Sequence, residues 1–353
     1  MKTVSDINAM RSSLLDWYDR SGRTLPWRVR PEDRARGIRP DPYAIWLSEI
    51  MLQQTTIPHG TPYWYKFLEF YPTVSDLAAA PLDEVLAMWA GLGYYARARN
   101  LHKCARIVAG EKGGQFPDTR KALMKLPGIG DYTASTIAAI CFDEPTTIVD
   151  GNVERVIARV ARIGTPLPKG KKDVKVVAQS LSDPDRPGDY GQALMDLGAT
   201  VCTPKTPRCS ECVWNPFCES WARGDMHRFP VKLAKKAQPV RYGRAYVMIR
   251  RNCVFLRRRL ETGLLGGMME VPTSDWTSAL PDFDPPMVGD WQRVTTPVRH
   301  VFTHFDLRLD VHWSEITGTP DGEGAWYNKA ELGSLALPSL MQKVLESVKT
   351  LSS

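Results

Sequence analysis

The hydrophobic pattern of the chain changes character near residue 225. From residue 5 to about 222 apolar side chains recur at the three-to-four-residue spacing of helices. Asp41-Pro42 supplies an N-cap and a proline at the first helical position, and opens a pattern from Tyr43 to about Thr55. The same spacing predicts helices over Val74–Ala80, Leu82–Ala90, Ala96–Ala109, Arg120–Lys125, Tyr132–Cys141, Val153–Ile163 and Gln192–Thr200. No hairpin signal interrupts this part. Val29 to Arg39, rich in Arg and Pro, predicts an exposed loop. Between Asp225 and Val240 the chain turns basic and loses its period, as a linker does. Beyond it, runs at Ala245–Ile249, Cys253–Leu256, Val298–Val311 and Gly324–Tyr327 predict strands, and Pro338–Lys349 a final helix. The expected architecture is multidomain: an all-α domain over residues 1–224, a basic linker over 225–240, and a smaller α+β domain over 241–353.

At 353 residues the chain has the length for two such cores. No apolar run approaches the roughly 18 residues that span a bilayer. Met1 to Met10 holds no apolar export segment, so a cytoplasmic, nucleoid-associated monomer with no membrane contact is expected. Charge sharpens the division. From Arg241 onward, 13 Lys and Arg face 13 Asp and Glu, whereas the first 240 residues carry 33 against 26. The whole excess of +7 therefore lies in the helical part, where it suits a polyanion. A solvated basic face would give the same balance.

Two motifs in that part carry chemistry. Leu126-Pro127-Gly128-Ile129-Gly130 joins two predicted helices. Gly128 and Gly130 let the backbone turn tightly and open its N–H groups beside a helix N-terminus, a cradle for phosphate. An ordinary helix–helix turn is the plainer alternative. The second motif is Cys202-x6-Cys209-x2-Cys212-x5-Cys218, four of the seven cysteines in one short loop. In a reducing compartment such a loop reads as a metal site, for zinc or for a [4Fe–4S] cluster. Zinc ribbons usually carry two CxxC pairs, and this loop has one. Cys104, Cys141 and Cys253 sit among apolar neighbours and read as structural thiols.

The hairpin, Val149-Asp150-Gly151-Asn152 and the cysteine loop together resemble the endonuclease III superfamily of base-excision glycosylases. Leu25-Pro26-Trp27-Arg28, the run Trp46 to Thr55 (WLSEIMLQQT) and the run Gly91 to Leu101 (GLGYYARARNL) are similar to the adenine glycosylases of the MutY family. The likeness covers about residues 10 to 220, and nearly the whole chain once the C-terminal domain is included. It implies a helix-hairpin-helix glycosylase domain with a [4Fe–4S] loop on Cys202, Cys209, Cys212 and Cys218, followed by a Nudix-like domain. It also implies a substrate, double-stranded DNA with adenine opposite 8-oxoguanine or guanine.

The residues support this physically. On the Tyr43–Thr55 helix, Glu49 shares a face with Ile45, Trp46, Leu52 and Gln53, so its carboxyl is expected to be desolvated and its pKa raised. Such a group can protonate a ring nitrogen near neutral pH. Asp150 precedes the Val153–Ile163 helix, whose dipole is expected to favour the anion, suited to a positive sugar. A plain helix cap is the alternative. The resemblance assigns proton donation and water activation to Glu49 and stabilisation of the sugar cation to Asp150, with Tyr132 and Asn152 holding both. It places Trp27, Arg28 and Gln192 at the adenine, and Gln54, Leu92 and Tyr94 at the mispair, with Tyr94 wedged into the stack.

Bifunctional relatives carry a lysine two residues after the hairpin's last glycine; here Tyr132 stands there, so hydrolysis without efficient strand cleavage is expected. In the C-terminal domain Phe302-Thr303-His304 resembles the segment that reads 8-oxoguanine in this family. A Phe-Ser-His triplet is common there, and Thr303 keeps the hydroxyl while adding a methyl. A strand through these residues would put Phe302 and His304 on one face. The stretch Gly263 to Pro272 keeps only Glu270 of the acidic residues a Nudix hydrolase needs for Mg²⁺, so recognition is the expected role rather than hydrolysis. The rival readings are a glycosylase for another base and a non-catalytic DNA-binding protein.

Overall fold

Helices form where the apolar period predicts them, and others form where it is too broken to read. In chain order they are α1 (Val4–Ser21), α2 (Pro31–Ala35), α3 (Pro42–Met51), α4 (Ile57–Phe70), α5 (Val74–Ala79), α6 (Leu82–Met88), α7 (Ala96–Glu111), α8 (Arg120–Leu123), α9 (Asp131–Phe142), α10 (Gly151–Val160), α11 (Lys171–Leu181), α12 (Pro187–Asp196), α13 (Glu219–Ala222) and α14 (Ser339–Glu346). The strands are β1 (Val240–Arg250), β2 (Cys253–Arg258), β3 (Met269–Glu270), β4 (Gln292–Arg293), β5 (Val298–Val301), β6 (Asp306–Glu315) and β7 (Ala325–Asn328). This computed structural model describes residues 2–233, 237–260, 263–320 and 322–348. The end of the predicted final helix, at Lys349, lies outside them. The chain divides into two units, Met1–Ala78 with Lys103–Ala234 and Ala79–His102 with Lys235–Ser353. The division falls inside α7 and assigns α6 to the sheet unit.

In the helical unit α12 is buried at every position from Pro187 to Asp196 and packs on α1, α9 and α10. A Cβ at Gly188 would stand 2.6 Å from the carbonyl oxygen of Ala139, so only glycine lets α12 lie this close to α9. The predicted helix at Gln192–Thr200 is thus displaced. It starts five residues earlier, at Pro187, and gives way at Leu197–Val201 to a wider π turn that leads into the cysteine loop. At α3 the expected cap is present, with Tyr43 N donating to Asp41 Oδ1 at 2.9 Å. α1, α4 and α11 go beyond the predicted set; α1 is capped by a Thr3–Asp6 box and buries Met10, Leu14, Leu15 and Tyr18.

Two segments depart from expectation because arginine side chains hold them. Pro31–Ala35 is helical rather than loop. Arg30 Nη2 donates to Asp19 O at 3.0 Å and Arg34 Nη2 to Ile140 O at 2.6 Å, reaching carbonyls near the ends of α1 and α9. Only its far end, Ala35 to Arg39, is exposed throughout. Past Asp225, Met226 and Phe229 are buried, and their carbonyls accept from Arg159 Nε at 3.0 and 3.1 Å. Leu167 pairs with Lys232, so the chain stays on the helical unit up to there.

The second unit is built on a mixed sheet of order β3-β2-β1-β6-β4, with β5 also on β6 and β7 on β2. β1 and β6 run parallel from Val240↔Asp306 to Ile249↔Glu315. On one face Ala245, Val247, Ile249, Leu307, Leu309 and Val311 pack on Leu340, Met341, Val344 and Leu345 of α14, period two against period three to four. Met248, Phe255 and Ile316 form a smaller cluster. The predicted single strand over Val298–Val311 is in fact a hairpin. β5 and β6 pair antiparallel, and Phe302 N bonds Phe305 O at 2.9 Å across the turn. Strand alternation therefore fails at Phe302 and His304: Phe302 is half-buried and His304 exposed. No described helix is long and apolar enough to cross a membrane.

Candidate active site and cysteine loop

One cavity of about 380 Å³ in the helical unit gathers the carboxyls singled out by sequence. The loop after α1 lines it with Arg23, Leu25, Trp27 and Arg28, the end of α3 with Glu49, Gln53 and Gln54, and α9 with Tyr132. Asp150 and Asn152 come from the start of α10, and Gln192 and Met195 from α12. Glu49 is half-buried as a residue because it forms part of the wall, yet protein encloses its carboxyl. Burial pushes that carboxyl up to about 7; Asp150 adds to the rise, while the Tyr132 hydrogen bond and the Arg28 charge oppose it. The Tyr132 hydroxyl also lies 3.6 Å from Met195 Sδ.

Asp150 caps α10. Its Oδ1 accepts from Val153 N at 2.7 Å and its Oδ2 from Asn152 Nδ2 at 2.9 Å. The sequence reading expected the helix dipole to hold this carboxyl down, and here the structure differs. Burial raises it, and bonds from Val153 and Asn152 with the charge of Arg155 limit the rise. Both carboxyls are therefore desolvated; what separates them is the larger set of donors around Asp150. Asn152 is itself fixed, because its Oδ1 accepts from Arg155 Nη2 at 2.9 Å. Arg155 donates onward to Gly198 O at 2.7 Å and Cys202 O at 2.8 Å, joining the Asp150–Asn152 segment to the cysteine loop. A Cβ on Gly198 would fall 2.7 Å from that of Asn152.

Trp27 is buried and meets Trp64 edge-on at 5.7 Å, and Gln192 Nε2 donates to Gly188 O at 3.2 Å. Sequence reasoning missed Asp196. It is fully buried and takes both terminal nitrogens of Arg28, at 2.8 and 2.9 Å, besides Arg23. No local signal marks it: α12 carries a second buried acidic residue, Asp189, and the arginines that Asp196 holds lie more than 160 residues away.

In the hairpin, Gly128 sits at φ +75 and Ile129 N bonds Leu126 O at 3.2 Å. Gly130 is the N-cap of α9 and brings no side chain to its first turn, leaving those N–H groups open to a phosphate. Cys202, Cys209, Cys212 and Cys218 line one small cavity with Val156, Val160, Val201 and Trp214. The buried Arg159 crosses its edge, with Nη1 3.3 Å from Cys202 Sγ and bonds to the carbonyls of Thr203 and Pro204 at 2.8 and 3.0 Å. Among the described residues no three His, Cys, Asp or Glu side chains converge on a single-ion site.

The remaining predicted residues belong to the sheet unit. Leu92 is buried, whereas Tyr94 is exposed at φ +50 between Gly93 at φ +67 and Tyr95. The Tyr94 hydroxyl is 3.2 Å from Thr303 Oγ1. Gln238 Nε2 donates to Thr303 O at 2.8 Å, and Phe302 stacks on Trp276 at 5.8 Å. Glu270 is buried and held by Arg257, at 3.0 Å, and by Arg259, so its oxygens are committed to guanidinium groups.

The helical fold and its cavity define a base-excision DNA glycosylase of the helix-hairpin-helix class. Residues 47–181 match the model of the HhH-GPD superfamily of base excision DNA repair proteins, and residues 244–347 that of the NUDIX domain. A thermostable thymine-DNA glycosylase superposes with a TM-score of 0.54 at 30% identity, over 62% of this chain and 98% of its own. The human adenine DNA glycosylase is 34% identical over 97% of this chain and 74% of its own length. That of Buchnera aphidicola subsp. Baizongia pistaciae is 29% identical over 96% of both. The chain belongs to the adenine DNA glycosylase family, hydrolases of N-glycosidic bonds in DNA.

Proposed function

We propose that the chain removes undamaged adenine paired with 8-oxoguanine or guanine, by hydrolysis and without efficient strand cleavage, acting as a monomer on duplex DNA. The observation that carries this is the enclosure of Glu49, Tyr132, Asp150 and Asn152 in one cavity with the Glu49 carboxyl pushed up to about 7. Adenine is a poor leaving group as an anion, so a ring nitrogen must gain a proton as the bond from N9 to C1′ breaks. The protonated Glu49 supplies it. The positive charge that develops on the sugar meets the Asp150 carboxylate, held by Val153 and Asn152. Ionised Glu49 then takes a proton from water as its oxygen bonds to C1′, which restores the acid and leaves an abasic sugar. Tyr132, with its hydroxyl against Glu49, stands where a lysine would form a Schiff base, and a phenol cannot.

The domain organisation read from sequence fits the same proposal. Residues 1–224 would carry the chemistry, 225–240 the connection, and 241–353 the reading of the opposite base, with Tyr94 and Thr303 sharing a hydrogen bond. The four thiols suit a [4Fe–4S] cluster. They line one small cavity with Val156, Val160, Val201 and Trp214, and their single CxxC pair is unlike the two of a zinc ribbon. When bound, the cluster supplies a rigid closure of the Cys202–Cys218 loop; Arg155 and Arg159 would hold that loop from the α10 side. Single-turnover assays on duplexes with adenine opposite 8-oxoguanine, guanine or thymine test the reading. Release opposite the two purines, with breaks only after alkali, is expected. Processing of an oxidised pyrimidine instead would leave only the superfamily assignment.

A further inference from the structure

Arg28 lines the cavity beside Glu49, and a bare guanidinium there would work against a proton donor. Its side chain is 4% exposed, so solvent does little to screen it. The structure answers with Asp196. This carboxylate, at the last position of α12, is fully buried and accepts Arg28 Nη1 and Nη2 at 2.8 and 2.9 Å, Arg23 Nε at 2.6 Å and Arg23 N at 2.7 Å. Burial alone would raise its pKa, but Arg28 and Arg23 hold it below the usual carboxylate range, so it stays an anion. Two cations thus face one anion, with Arg23 only 28% exposed at the side chain. Gln192, Met195 and Asp196 project from α12 at positions i, i+3 and i+4, so one helix face carries the adenine-pocket amide, the sulfur against Tyr132 and this anion.

We propose that Asp196 is a positioning residue for base excision: it fixes the Arg28 guanidinium in the cavity wall and offsets its charge in front of Glu49. The inference deepens the function proposed above and rests on it. The charged and titratable groups facing Glu49 are Tyr132 from α9, Asp150 from the start of α10, Arg28 from the loop after α1, and the thiol of Cys141, which burial keeps neutral. Of these only Arg28 is a cation, and Asp196 is its partner.

The test is the pH profile of single-turnover adenine release between pH 5 and 9 for the unaltered protein, Asp196→Asn and Arg23→Gln. Asp196→Asn leaves Arg28 unopposed and favours ionised Glu49. Its alkaline limb moves to lower pH, and its rate at pH 8 falls about tenfold further below the unaltered protein than at pH 6. Arg23→Gln leaves Asp196 in relative excess and moves the limb the other way. A ¹³C NMR titration of the Glu49 carboxyl in the free protein reads the same two opposite shifts without turnover. Constant scaling of the profile in both variants, with an unmoved titration, overturns the proposal and leaves Asp196 a fold support. If Asp196→Asn fails to fold by circular dichroism, the Arg23→Gln arm decides alone. Opposite shifts in the titration, in a protein that releases no adenine, would overturn the proposed function while keeping the Asp196 assignment.

Discussion

The cavity of the helical unit and the Phe302–His304 turn of the sheet unit solve different problems with different materials. In the cavity Asp150, Asn152, Arg155, Arg28 and Asp196 form chains of hydrogen bonds in which almost every atom is fixed by another buried atom. At the turn, Thr303 and His304 are exposed, and Thr303 is steadied by a shared hydroxyl contact and one amide from Gln238. Charge stabilisation needs dipoles that do not reorganise and water that stays out, so it selects burial. Reading a base from outside, the role proposed for this turn, would need donors left open, and the turn between β5 and β6 leaves Thr303 and His304 exposed. The contrast teaches that substitutions in the cavity should act through charge and packing together, and those at the turn through single hydrogen bonds.

The largest effect is expected at Glu49. Glu49→Gln keeps the shape and removes the proton donor, so adenine release should fall by about a thousandfold or more. The same substitution separates chemistry from folding. The folded pKa of about 7 lies above the ordinary 4.5, so folding favours the protonated form. That contribution is complete below about pH 4.5 and is lost as pH rises toward 7, up to roughly 3 kcal/mol in all. Urea unfolding should therefore show Glu49→Gln gaining more stability at pH 8 than at pH 5; an equal gain at both would mean the carboxyl is not desolvated. Arg159→Met comes next. It strands the carbonyls of Met226, Phe229, Thr203 and Pro204, and should cost the helical unit about 3 kcal/mol in the same experiment.

These regions also differed in how far they could be read in advance. The desolvation of Glu49 was legible because helical spacing sets its neighbours, and the hairpin turn because Gly128 takes a left-handed φ, whereas Gly130, at φ −87, has a backbone open to any residue. Asp196 was invisible, since its partners lie more than 160 residues away and nothing local marks a buried anion. Asp150 departs from its expected state because burial in the cavity wall outweighs the local field of the helix N-terminus. At the turn, β-type residues on both sides hid the reversal at Phe302–Phe305; Thr303-His304 carries neither glycine nor proline to announce it. α1 was lost for a different reason, its apolar stripe being only four residues among many polar ones.

Gly198→Ala tests whether the cavity depends on the approach of one backbone to one side chain. The added methyl would fall on Asn152 Cβ, so Asn152 must shift and its bond to Asp150 lengthen. Adenine release should drop about tenfold to a hundredfold, with the same pH at half-maximal rate because Glu49 is untouched. An unchanged rate would show that the loop at Leu197–Val201 yields, and that the cavity is less rigid than its bonding suggests.

The smallest effects belong to the turn. Thr303→Val preserves volume and the β-branch while deleting the hydroxyl, and Thr303→Ser preserves the hydroxyl. If the turn reads the opposite base, Thr303→Val should lower the preference for adenine opposite 8-oxoguanine over adenine opposite guanine by about fivefold, near the worth of one exposed hydrogen bond. Thr303→Ser should keep it. Tyr94→Phe removes the other hydroxyl of the 3.2 Å pair, and the double variant Tyr94→Phe with Thr303→Val should cost less than the sum of the two, since both delete one contact. Additive losses would mean each hydroxyl meets DNA on its own. Equal loss on both duplexes would mean the turn grips the strand without reading it, and the contrast between a buried chemical site and an exposed reading site would then rest on the cavity alone.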